Sequence, residues 1–66
     1  MELIINGQTK TFEKALSLHE LIKYLNIEDK VMACAVNMDI VKKENWGNFI
    51  PQENDTIELL NFVGGG

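Results

Sequence analysis

Apolar and polar positions change their spacing several times along this chain of 66 residues, and each change marks an element. Leu3-Ile4-Ile5 is a short apolar run. Asn6-Gly7 interrupts it, and QTKTFE follows with two threonines and a phenylalanine. Asn-Gly is the preferred pair for a type I′ turn, because both central residues take positive φ. The pattern predicts strands over 2–6 and 8–13, joined as a hairpin. Leu18, Leu21, Ile22 and Leu25 then fall at i, i+3, i+4 and i+7, the apolar stripe of a helix over 18–25. Ser17 and Glu20 have the spacing of a capping box, and Leu16 and Leu21 that of the hydrophobic staple. At the other end Asn26 suits a left-handed C′ residue, with Ile27 folding back on Ile22.

Alternation then returns. In VMACAVN the period of two puts Met32, Cys34 and Val36 on one face and Ala33 and Ala35 on the other. Asn37 to Asp39 reads as a turn into a short return strand, Ile40-Val41. KKENWGNF reads as a helical turn broken at Gly47, with Trp46 and Phe49 tucked under the domain. Residues 51–55 form a polar turn. The last strand spans 56–63, with Ile57, Leu59 and Val63 in one phase and Leu60 and Phe62 in the other. One helix covers one face of one sheet, so the fold class is α+β. A final strand laid parallel to the first gives a mixed sheet that cradles the helix, a β-grasp or ubiquitin-like roll. The expected division is a domain over 1–63 and a flexible carboxyl-terminal glycine tail over 64–66.

Size and charge narrow the functions open to such a roll. A chain this short buries only about 60% of its unfolded surface, which leaves no room for a lidded cleft. The net charge is −4, with six lysines and no arginine. Nucleic acid calls for a basic face, so it is not an expected partner. No apolar run approaches the ~20 residues of a membrane span. MELIING lacks a basic stretch leading into an apolar one, so no signal peptide is expected. The lone Cys34 suits a reducing compartment, hence the cytoplasm.

Side chains for chemistry are scarce. Cys34 lies mid-strand among apolar residues, with no neighbour in sequence to lower its pKa, and reads as core. His19 falls just outside the helical stripe, at the surface. No spacing of His, Cys and carboxylates fits a metal, and no acid–base pair suits catalysis. The end of the chain differs. Gly64, Gly65 and Gly66 follow the last strand with no spacer and reach roughly 10 Å beyond it. Without Cβ atoms they fit a channel closed to other backbones, and they deliver one group, the α-carboxylate of Gly66. A carboxylate is a poor electrophile until activated, and this domain has nothing with which to bind ATP. The tail therefore reads as the arm of a carrier that a partner enzyme charges. Leu60 and Phe62, two large apolar groups on the open face, are the candidate docking patch.

The segments ELIINGQ, SLHELIKYLNI, AVNMDIVKKENW and NDTIELLNFVGGG together resemble the ThiS family, the sulfur carriers of thiazole formation in thiamin biosynthesis. The resemblance spans essentially the whole chain, and FVGGG with VN-x-x-IV…W is its most specific part. Met38-Asp39 and Lys42-Lys43 depart from the family pattern, where Gly with a charged residue and Pro with a basic one are common. The resemblance implies that an adenylyltransferase related to ubiquitin-activating enzymes uses ATP to adenylate Gly66. A persulfide supplied through a cysteine desulfurase then displaces AMP and leaves a thiocarboxylate. Thiazole synthase takes up that sulfur. Gly64 and Gly65 would thread both partners' sites, and no cofactor would be bound. Rival readings are the small subunit of molybdopterin synthase, a ubiquitin-like modifier joined to lysine through Gly66, and a non-covalent binding module acting through Leu60 and Phe62.

Overall fold

Asparagine builds most of the turns. Asn6, Asn26, Asn37 and Asn54 all have positive φ, between 49° and 68°. A short amide side chain tolerates this region better than other L-residues do. The computed structural model describes residues 1–61. Within them the strands are β1 (Glu2–Ile5), β2 (Gln8–Thr11), β3 (Val31–Val36), β4 (Asp39–Val41) and β5 (Thr56–Asn61). One α-helix, α1 (Leu18–Tyr24), follows the first hairpin, and a 3₁₀ turn spans Lys43–Asn45. The strands form one sheet in the order β2-β1-β5-β3-β4. β1 and β5 are parallel, and the other pairs are antiparallel. This is the expected mixed sheet with one helix. The expected strand ends at 6 and 13 are shorter by one and two residues. The boundary placed between 63 and 64 lies outside the described residues.

Local signals set the helix ends. The Ser17 Oγ accepts from the Glu20 N–H at 3.1 Å, and Glu20 Oε1 accepts from the Ser17 N–H at 2.9 Å. The Ser17 N–H holds the Glu20 carboxyl below its ordinary value, against a smaller opposing effect of desolvation. The first-turn N–H groups of a helix have no partners within it. Here Leu18 and His19 donate theirs to the carbonyls of Phe49 and Trp46, at 2.8 and 3.1 Å. At the far end Asn26 donates to Lys23 and Ile27 to Ile22, with Asn26 left-handed. That is the Schellman arrangement, and Ile27 packs on the core beside it.

The core lies between α1 and one face of the sheet. Leu18, Leu21 and Ile22 from the helix meet Leu3, Ile5, Cys34 and Ile57 from the strands, all nearly or fully buried. Trp46 closes one end, and its Nε1–H donates to the Val41 carbonyl at 2.8 Å, which satisfies the buried indole. The turn beneath the domain runs past Gly47, with the Asn48 N–H donating to Asn45.

One expected face is corrected. Met32 does not share the core face with Cys34 and Val36; it is 56% exposed, whereas Val31 is buried. Against β5, Val31 lies opposite Asn61 and Ala33 opposite Leu60. Two steps along β3 thus match one along β5, so β3 carries a β-bulge at Met32. The extra residue breaks the period of two and turns Val31 inward. The β3–β4 turn is also tighter than expected. Asn37 and Met38 form it at φ 51° and 75°, and Asp39 already pairs with Val36.

Candidate functional site

The strand that leads to the glycine tail runs through the centre of the sheet, between β1 and β3. Its alternation is regular. Ile57 and Leu59 face the helix and are buried. Glu58 and Leu60 lie on the open face, opposite Ala35 and Ala33. Leu60 is 40% exposed. It thus stands where the sequence placed it, facing away from the helix. Ile40, opposite Ala35 on β4, extends the apolar part of this face and is itself exposed. Phe62, Gly64, Gly65 and Gly66 lie outside the described residues.

Two long-range contacts fasten β5, and sequence reasoning did not find either. Asn37 Oδ1 accepts from the Thr56 N–H, and Asn37 Nδ2 donates to Asp55 Oδ1, both at 2.9 Å. Asn6 Oδ1 accepts from the Leu59 N–H at 2.9 Å. The two asparagines were legible as turn residues. Their second role joins positions far apart in sequence, for which a single chain gives no local signal.

The remaining candidates for chemistry fall away. Cys34 is fully buried, and burial pushes its thiol up to about 11. A thiol held protonated is a poor nucleophile and a poor metal ligand. His19 is exposed at the helix start. Among the described residues no group of three or more His, Cys, Asp or Glu is placed to hold a metal ion. No helix there is long and apolar enough to cross a membrane.

One helix held by a five-stranded mixed sheet, with the last strand central and parallel to the first, defines a β-grasp protein of the ubiquitin-like type. Comparison with known proteins narrows the class. The family model described as the ThiS family matches residues 3–66. The sulfur carrier protein ThiS of Escherichia coli is 32% identical over 66 residues, covering all of both chains. The crystal structure of a thiamine biosynthesis protein (ThiS) from Geobacter metallireducens superposes with a TM-score of 0.83 at 27% identity, again over all of both chains. A thiazole synthase of Paramagnetospirillum magneticum is 29% identical over 66 residues; there the chain spans only 20% of the longer protein. The chain belongs to the ThiS family, the sulfur carriers of thiamin biosynthesis.

Proposed function

We propose that this chain carries sulfur as a thiocarboxylate on Gly66 and delivers it to thiazole formation. The observation that carries the reading is a central strand, fastened on both sides, that runs toward three terminal glycines in a chain of this family. A carboxylate oxygen of Gly66 attacks the α-phosphorus of ATP on a ubiquitin-activating-enzyme-like adenylyltransferase, and pyrophosphate leaves. The terminal sulfur of a persulfide, supplied through a cysteine desulfurase, then attacks the acyl carbon and AMP leaves. A thiol cleaves the resulting acyl disulfide, taking up the other sulfur, and the thiocarboxylate is released. The chain is a co-substrate of the adenylyltransferase and of thiazole synthase, and binds no cofactor of its own. The buried, protonated Cys34 leaves the carboxyl terminus as the only sulfur-bearing position the reading needs.

Thiazole synthase is the proposed acceptor because a relative of that name contains a segment matching this whole chain. Carrier and synthase joined in one polypeptide fit partners that act in sequence. Gly64 and Gly65 pass through the narrow entrances of both enzymes, and Leu60 with Phe62 docks the strand. The lone free cysteine suits a cytoplasmic setting for these steps.

Intact mass tests the reading. The chain is incubated with ATP, an adenylating partner from the same cell and a persulfide source. The expected gain is that of one oxygen replaced by sulfur, absent when Gly66 is removed. An unchanged mass with a competent partner overturns the carrier reading and favours a conjugated modifier or a binding module.

A further inference from the structure

The parallel ladder between β1 and β5 advances in even steps. The Ile4 N–H donates to the Asp55 carbonyl at 3.0 Å, and the Asn6 N–H to the Ile57 carbonyl at 2.9 Å. In a continued parallel ladder the Leu59 N–H would next donate to the main-chain carbonyl of Asn6. The chain instead turns at Asn6, whose φ is 49°, and β1 has already ended at Ile5. The Leu59 N–H is met by the side-chain carbonyl, Asn6 Oδ1, at 2.9 Å. The side chain thus takes the place of the main-chain group that the turn removes. Among the described residues this is the bond nearest the carboxyl terminus on the β1 side of β5. On the other side Leu59 faces Cys34, and the bulge of β3 between Val31 and Ala33 faces the next two residues, Leu60 and Asn61.

We propose that Asn6 is a positioning residue for the carboxyl-terminal arm: its side-chain carbonyl holds the Leu59 N–H and so sets the direction in which the chain leaves the sheet. The inference rests on the carrier reading above. A turn alone does not need this side chain, since glycine adopts φ 49° freely. Asparagine adds an acceptor aimed at the strand that bears the arm. A reaction at the end of that arm depends on where its root is held, because a partner that must gather a looser arm loses binding free energy to the ordering.

Two substitutions separate the turn from the clamp. Asn6→Gly keeps the positive φ and removes the acceptor, whereas Asn6→Asp keeps both. Amide hydrogen exchange followed by NMR reads the bond directly. In the unaltered chain the Leu59 N–H is expected to be protected as well as the Asn6 N–H. In Asn6→Gly it exchanges about five- to tenfold faster, as fits the loss of one hydrogen bond, and Asn6→Asp restores it. Sulfur loading, followed by intact mass at varied carrier concentration, reads the function. Asn6→Gly is expected to raise KM about fivefold with kcat unchanged, and Asn6→Asp to return KM to the original value. Three results overturn the proposal: a freely exchanging Leu59 N–H in the unaltered chain, a KM unchanged in Asn6→Gly, or equal losses in both variants that track a fall in melting temperature. If the unaltered chain takes up no sulfur, the carrier reading has failed, and the exchange of Leu59 still decides whether the clamp exists.

Discussion

Cys34 shows how burial decides the fate of a reactive side chain. Its thiol is sealed beneath α1, and burial pushes it up to about 11 from a usual value of 9.0. The folded protein therefore holds this proton more tightly than the unfolded chain does. The resulting stability is whole below pH 9 and is lost as the pH rises toward 11. In urea titrations the advantage of the unaltered chain over Cys34→Ala is expected to shrink across that window. Cys34→Ser is expected to lose about 1–3 kcal/mol, since it places a hydroxyl in an apolar site. It should still gain sulfur in the mass assay, and a folded Cys34→Ser protein that cannot be charged would give the thiol a role it is denied here.

Elements divide into those written locally and those that are not. Every hydrogen bond of the capping box and the Schellman close joins residues at most five apart, and both were legible in the sequence. The face of Met32 was not. Strict alternation places it beside Cys34, but the bulge exists only in the pairing of β3 with β5, nearly thirty positions further along. This yields a direct contrast. Met32→Lys is expected to change the free energy of unfolding by no more than about 0.5 kcal/mol, as at other exposed sites. Val31→Lys, which buries a charge, is expected to prevent folding. The open face of β5 has its own test. Leu60→Asp removes apolar surface at a position 40% exposed, so the fold is expected to persist while KM for sulfur loading rises several-fold. An unchanged KM would take Leu60 out of the docking surface.

At the scale of the molecule, the fold is expected to stand without the last two glycines of the arm. Among the described residues the core runs from Leu3 to Leu59. Deleting Gly65-Gly66 is expected to leave the melting temperature within about 2 °C and to abolish sulfur uptake in the mass assay. A deletion variant that unfolds, or one that is still charged, would contradict this division. The β-grasp class, with the last strand parallel to the first, was legible because one helix and one sheet leave few topologies open. The fastening of β5 by Asn6 and Asn37 was not, because the bonds join residues 53 and 19 positions apart in sequence and take their meaning from the partner strand.

The central place of β5 bears on how such a chain is made. Synthesis delivers β1, β2, α1, β3 and β4 first, yet these leave a gap in the middle of the sheet that only β5 fills. Until it emerges, β1 and β3 each face the gap with an unpaired edge and Leu3, Ile5 and Cys34 lack part of their cover. A polypeptide cut short before Thr56 therefore remains an open, protease-sensitive intermediate rather than an armless carrier. Completion of the fold thus reports that translation has reached the strand that bears the arm.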